Sequence, residues 1–509
     1  MISRRSLIRT GAGVGAAAAL TVSTGGMLLA GAGSASAAPS WDSLRAALNG
    51  TLVLPGESTY GQAIQLHQAK WDAIHPQAVA YCKTASDVAT CIRFAQNNSL
   101  AFSVRSGGHS NAGYSTSPGL VVDVSRLNSV RTTGSTVRLG PGAQGVDITN
   151  TLSALGLQVV SGTCPTVAMG GFLQGGGLGP ASRKYGTAAD RLVSARVVLA
   201  DGKSVTASAN DNPDLFWALR GGGGGNFGVV TEYEVRPVSI PSLTLFNLTF
   251  AWSDAADIVQ AWQQWIISGP RELNTQLLFT LATDQGGEPH VILTGTYAGA
   301  QAAAETALNT FMTSHGKASV TRQVVELPYQ QAMMTIFGCG TQTVSECHRV
   351  GYSPEAVLPR EYNATYRNTL FSKAQTRTSI QDTLARMEAS LRPGQFRVLA
   401  LLSYGGRVND YGVGATAYSH RTTEFEVGIQ LAHTTAAPTQ EDRAAGDAWL
   451  NTTFTTVETA GNHESYQNFM DPALPNWQQA YYGRNYPVLQ AVKANYDPHR
   501  YFNFAQAIA

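Results

Sequence analysis

The segment Ser161 to Gly179 reads SGTCPTVAMGGFLQGGGLG, and a stretch this dense in glycine belongs where backbone approaches something flat or charged too closely for side chains. A second such stretch, SVRSGGHSNAGYST from Ser103 to Thr116, follows an apolar run that reads as a strand. A third, Gly221 to Gly225, precedes Asn226-Phe227-Gly228. Alone, that five-glycine run would also serve as a flexible linker. Its apolar flanks, Leu215-Phe216-Trp217-Ala218-Leu219 and Val229-Val230, favour a packed turn.

Around these loops the periodicity predicts strands at Ala78 to Tyr81, Ala101 to Val104, Leu120 to Val124 and Thr136 to Leu139, with helices at Ser86 to Gln96 and Gln144 to Leu155. A hairpin turning at Asp201-Gly202 is predicted from Leu192 to Leu199 and Ser204 to Ala207, then a strand at Val229 to Val235. Past Pro237 the glycine loops thin out. Alternating runs such as Leu243 to Phe250 and Val291 to Tyr297 are separated by helices such as Asp254 to Ile267. From Thr459 the chain turns aromatic and Asn-rich, a tail expected to pack back onto a binding site. The expected class is α+β, with segments 38–240, 241–458 and 459–509, a division that suits a chain of 509 residues.

Ahead of these, Ser3-Arg4-Arg5-Ser6-Leu7-Ile8, an Ala/Gly-rich apolar stretch and Ala35-Ser36-Ala37 form a twin-arginine export signal over 1–37, read in preference to a membrane anchor because the cleavage site follows directly. That route carries folded proteins and implies a secreted product. The first 37 residues hold three arginines and no acid, so their removal leaves 32 basic against 34 acidic residues. A nearly neutral chain without a basic stripe excludes nucleic acid and an anionic membrane as partners and favours a small molecule. Nothing in the sequence speaks to oligomeric state.

Five cysteines enter an oxidising compartment, so at least one is unpaired within the chain. Cys82 and Cys91, nine apart, and Cys339 and Cys347, flanking a polar loop, could each close locally, leaving Cys164 as the odd thiol. The cysteine spacings do not suit a metal site. Cys164 is then a candidate thiolate nucleophile, or simply a free buried cysteine. Gly107 and Gly108 let backbone N–H groups crowd an anion while Arg105 offers charge-assisted hydrogen bonds, a cradle for a diphosphate. His109, in the middle of that cradle, is either a hydrogen-bonding residue or, as a neutral imidazole, a nucleophile.

Six motifs together carry a resemblance: SGGHS (Ser106 to Ser110), LVVDVSRL (Leu120 to Leu127), GTCPTV (Gly162 to Val167), GGGLG (Gly175 to Gly179), YGTAAD (Tyr185 to Asp190) and DLFWALRGGGGGNFGVVT (Asp214 to Thr231). The chain resembles the berberine bridge enzyme-like branch of the vanillyl-alcohol oxidase, or PCMH-type, FAD flavoproteins over nearly all of its length after the signal. The resemblance implies a PCMH-type FAD-binding domain (38–240), an α+β substrate domain with an antiparallel sheet (241–458) and a C-terminal segment (459–509) returning to the FAD domain. It implies FAD bound covalently twice, the 8α-methyl at His109 and C6 at Cys164, which in the family raises the redox potential and allows an open site. The cofactor-binding set it implies is Arg105, Ser106, Gly107, Gly108, Ser110, Asn111, Thr163, Val167, Gly170, Gly175, Gly176, Gly177, Leu178, Gly179, Gly228, Val230, Asn468, Tyr482 and Asn503.

Tyr466-Gln467-Asn468 is similar to the family's Y-x-N motif, which implies Tyr466 as general base. A phenol of ordinary pKa near 10 must be depressed to accept a proton at neutral pH, by a nearby cation or by hydrogen bonds to the phenolate. Tyr404 is the candidate donor. For either tyrosine the other reading is an aromatic wall that only shapes the pocket. Two positions carry further implications: Phe172 replaces a histidine of many relatives that helps to polarise the flavin, and Val167 matches the small residue that admits dioxygen. The implied activity is a secreted oxidase that passes a hydride from an alcohol or hemiacetal of a carbohydrate or glycosylated natural product to flavin N5, with O2 reduced to H2O2. A dehydrogenase or ring-closing oxidase of secondary metabolism on the same scaffold is the alternative, and a non-catalytic flavin-binding protein the distant one.

Overall fold

The computed structural model describes residues 39–509 apart from 285–286, 362–363 and 435–437. The export signal read at 1–37 lies outside the described residues, which form one compact unit from Ser40 to Ala509. Its first sheet has strands β1 (Thr51–Val53), β2 (Ala78–Tyr81), β3 (Phe102–Arg105) and β4 (Leu120–Asp123) in the order β1-β2-β4-β3. Both β2 and β3 run parallel to β4. Parallel neighbours need a crossover. The helix Ala85–Asn97 supplies one between β2 and β3, opened by a capping box in which Thr84 and Asp87 satisfy each other's backbone N–H. It buries Val88, Cys91, Ile92 and Ala95 against strands whose apolar runs are covered on both faces.

That packing brings Cys82, just past β2, against Cys91, but their sulfurs stand 3.9 Å apart and unbonded. The expected 82–91 disulfide is therefore not formed, whereas Cys339–Cys347 is closed, with Cα atoms 5.8 Å apart. Oddness of count thus does not isolate Cys164 among the free thiols. Exposure does, because Cys82 and Cys91 are fully buried and Cys164 is exposed.

A second, antiparallel sheet comprises β5 (Val130–Thr133), β6 (Thr136–Leu139), β7 (Leu192–Val198), β8 (Ser204–Ser208) and β9 (Val229–Val235), ordered β5-β6-β9-β7-β8. The third is a seven-stranded antiparallel sheet: β10 (Ser242–Phe250), β11 (Leu273–Ala282), β12 (His290–Tyr297), β13 (Thr321–Pro328), β14 (Ala364–Phe371), β15 (Gln395–Ser403) and β16 (Phe425–His433), ordered β13-β10-β12-β11-β15-β16-β14. Along β11 burial alternates strictly, as period-2 side chains require. Odd positions such as Leu277 and Phe279 are fully buried on the side of the helix Ala255–Ser268, whose Trp262 donates to Thr275 at 2.8 Å. Even positions Asn274, Gln276, Leu278 and Thr280 face the cavity described below.

The tail closes the unit. Buried Lys493, paired with Asp497 at 2.7 Å, donates to the carbonyls of Asn226 and Phe502, and the Asn226 side chain accepts from the Ile508 N–H at 3.0 Å. Those contacts anchor the far end of the chain on the loop after the five-glycine run. That run is itself packed, with the Gly221 and Gly223 N–H groups on the Gln174 carbonyl.

Candidate active site

The glycine loops, the even face of the seven-stranded sheet and the C-terminal tail enclose a cavity of about 960 Å³. Of the expected site residues, Ser106, Gly107, Gly108, His109, Ser110, Asn111, Thr163, Cys164, Val167, Gly170, Leu178, Gly179, Gly228, Val230, Tyr404, Tyr466, Asn468 and Asn503 line it. The hydroxyls of Ser103, Ser115, Thr116 and Ser117 also line it, and each is buried without a hydrogen-bond partner. Buried polar groups are satisfied as a rule, so four orphan hydroxyls beside exposed loop backbone fit the oxygens of a diphosphate.

Arg105 does not join them. Its register partner on the neighbouring strand is Asp123, and the buried guanidinium pairs with that carboxylate inside the sheet, away from the cavity. Its Nη1 is nevertheless buried without a partner, as the four hydroxyls are. Three glycines are displaced in the same way. Gly175 lies behind the wall because a Cβ there would sit 2.0 Å from the Asn468 side-chain oxygen, Gly176 packs on Tyr418, and Gly177 is turned toward Tyr466. Tyr482 is fully buried, donates to the Gly222 carbonyl at 3.2 Å and braces the glycine run from outside the cavity.

His109 and Cys164 share the cavity wall. Nε2 of His109 lies 2.9 Å from the Thr166 hydroxyl. Burial, with His67 and Arg349 adding to it, holds the imidazole well below its ordinary pKa, so it stands neutral with a nucleophilic lone pair. Cys164 departs from its expected thiolate character: burial pushes the thiol up and the Glu361 carboxylate adds to the effect. Its sulfur is open to the cavity yet enclosed by protein, and it stands protonated.

Tyr466 arrives by way of the tail. Asn368 on β14 accepts from the Tyr466 N–H at 2.9 Å, which places the ring beside Phe469, Tyr418 and Tyr404. Its phenolic oxygen accepts from the Gly177 N–H at 3.0 Å and the Asn468 amide at 2.9 Å. The depression expected of a base is not met by the chain's own groups: burial raises the phenol above its ordinary pKa, and the two donors, which favour the phenolate, pull it only part of the way back. Tyr404 is not one of these donors. It stands edge-on to Tyr466 with centroids 6.2 Å apart, and its hydroxyl donates to Glu426.

Glu426 was not legible as a site residue. Register places it beside Leu402 on the cavity side of β16, where Tyr404 and Tyr366 both donate to it. Tyr366 reaches it by lying across Gly428, where any Cβ would strike the phenol oxygen at 1.9 Å. Burial pushes the Glu426 carboxyl up to about 7, against the lowering effect of both tyrosines. The available signal was the one carboxylate inside the mainly apolar run Phe425–Ala432. Because its native pKa exceeds the unfolded value, Glu426 stabilises the fold in acid, and that contribution is lost as pH rises from about 4.5 to about 7. Glu426→Gln is therefore expected to flatten stability over that window. Since Glu426 also raises Tyr466, the same variant should move the rising limb of the rate profile to lower pH, which stopped-flow flavin reduction across pH would show.

Comparison with known proteins bears on the cofactor and on the fold. Residues 76–208 match the model of an FAD binding domain, and residues 465–509 match the "Berberine and berberine like" model. The chain is 26% identical over 475 residues to the uncharacterized FAD-linked oxidoreductase YgaK of Bacillus subtilis, covering 91% of this chain and 97% of that one. It is 28% identical to the xylooligosaccharide oxidase of Thermothelomyces thermophilus, over 85% and 87% of the two chains. Its fold superposes at a TM-score of 0.80 and 24% identity on the glucooligosaccharide oxidase of Acremonium strictum, described with a 6-S-cysteinyl, 8α-N1-histidyl FAD, over 92% and 98% of the chains. The cofactor domain, the berberine-like C-terminal segment and the shared fold together make this chain an FAD-dependent oxidoreductase that is similar, along most of its length, to the berberine bridge enzyme-like FAD-linked oxidoreductases.

Proposed function

We propose that this protein is a secreted oxidase that takes a hydride from an alcohol or hemiacetal carbon of a carbohydrate or glycosylated natural product and returns the electrons to O2 as H2O2. The observation that carries the reading is Tyr466, a buried phenol whose oxygen holds two donors and which lines the same cavity as His109 and Cys164. Bound FAD, attached at His109 and Cys164, supplies the hydride acceptor at N5. Tyr466 removes the hydroxyl proton of the substrate, and the Gly177 N–H and Asn468 amide stabilise the phenolate that this demands. Gln276 and Gln430 on the sheet face, with Glu361 just ahead of β14 and accepting from Gln430 at 3.0 Å, offer hydrogen bonds to sugar hydroxyls, and Val167 keeps the wall small where dioxygen must approach. Oxygen as acceptor is supported by the oxidases among the relatives. Export rests on the twin-arginine segment alone.

One observation favours a second substrate class. Between those polar groups the floor is apolar, made of Leu278, Val398, Ala400 and Leu402 in adjacent strands. Such a floor suits an aromatic or alkyl aglycone, and so a ring-closing oxidase of secondary metabolism. Anaerobic mixing with free oligosaccharides and with aryl glycosides separates the readings. Bleaching of the flavin absorbance by oligosaccharides, followed by stoichiometric peroxide on admitting air, is the expected result. Flavin that stays oxidised with every sugar and glycoside contradicts it.

A further inference from the structure

His67 lies outside the glycine motifs, yet its ring stacks on His109 with centroids 4.1 Å apart and planes 21° from parallel. The placement is built into the backbone. The His67 N–H donates to the carbonyl of Gly108 at 3.0 Å, and its own carbonyl accepts from the Glu361 N–H at 3.1 Å. Its Nδ1 is buried without a partner while Nε2 stands 3.9 Å from the Glu361 carboxylate, and both imidazoles line the cavity. On its other side His109 is fixed through Nε2 to Thr166, which leaves Nδ1 as the nitrogen free of that bond. Phe172, in the same cavity, offers no polar atom.

We propose that His67 is the positioning residue for flavin attachment at His109: its backbone is hung on the Gly108 carbonyl, and its ring, stacked on the His109 imidazole, clamps that imidazole against Thr166 so that Nδ1 is presented to the flavin methyl. The inference rests on the reading that FAD is attached at His109. In that attachment a bond forms between Nδ1 and the 8α-carbon, while the imidazole and the methyl each lose a hydrogen. The two electrons and two protons pass to the flavin, and dioxygen, already the electron acceptor of the proposed activity, takes them up as it becomes H2O2. Orientation decides such a step because the nucleophile and carbon must meet in line within a few ångströms. Close to the pair lie Glu361, Arg349 and Arg360, and burial together with the two arginines keeps His67 low despite Glu361, so the stack is of two neutral rings.

The test is the occupancy of the His109 peptide in holoenzyme purified as His67→Ala and His67→Phe. In His67→Ala the tryptic peptide holding His109 should carry flavin at least about tenfold less often than in wild type, as expected for a misaligned nucleophile. The peptide holding Cys164 should remain yellow, which also shows that the variant has folded around its cofactor. His67→Phe keeps a flat ring in the stack and should retain most of the His109 attachment. Wild-type occupancy in His67→Ala, or equal loss in both variants, would overturn the proposal. A wild-type His109 peptide free of flavin would instead remove the reading beneath it.

Discussion

Tyr466→Phe is expected to lower the rate of anaerobic flavin reduction by about 10²- to 10⁴-fold, the usual contribution of a positioned general base. The substitution removes one oxygen and leaves the ring among Tyr404, Tyr418 and Phe469. Its structural cost is the loss of an acceptor for the buried Gly177 N–H, about 1–3 kcal/mol, while the half-buried Asn468 amide keeps its bond to the Phe172 carbonyl. Attached FAD and overall fold should therefore survive. Stopped-flow reduction separates the base from a pocket wall: a phenylalanine that only reshaped the pocket would raise KM and spare the limiting rate. Unchanged reduction of every substrate would dismiss Tyr466 as the base.

The second large effect concerns the cofactor. Under the proposed double attachment, His109→Ala and Cys164→Ala, made singly, should each leave flavin precipitating with acid-denatured protein. The double variant should release all of its FAD into the supernatant. A dissociable ligand stabilises only by mass action, so the thermal midpoint of the double variant should rise with added FAD, and that of wild type should not. The two residues are unequal in their surroundings. His109 stands neutral and ready as a nucleophile, while Cys164 carries a thiol that burial and Glu361 keep protonated. His109→Ala should consequently cost more of the total attachment than Cys164→Ala. Measuring flavin retained after acid precipitation checks the order.

Local structure was legible in the sequence where one element settles its own pattern. Strands β2, β6 and β9 begin and end as their apolar runs predict, and the helix Ala255–Ser268 follows its periodicity. The site was half legible. Glycine density marked the loops that line the cavity, and a motif marked Tyr466. What surrounds those residues depends on strand register, which no local pattern encodes. Arg105 was lost to Asp123 because β3 and β4 happen to pair in that register. Tyr404 was lost to Glu426 because β15 and β16 place Leu402 opposite Glu426, with Gly428 clearing the way for Tyr366. The stack of His67 on His109 joins segments 42 residues apart by a backbone hydrogen bond, again invisible to periodicity. Cys82 and Cys91 were brought together as their spacing allowed, but as thiols in contact.

The central claim is that one flavin is held at both His109 and Cys164 in the cavity that Tyr466 also lines, and mass spectrometry of the acid-denatured, trypsin-digested wild-type protein tests it most directly. The account predicts a single yellow species in which the peptide containing His109 and the peptide containing Cys164 are joined through one flavin. Recovery of both peptides unmodified, with intact FAD in the acid supernatant, would contradict it.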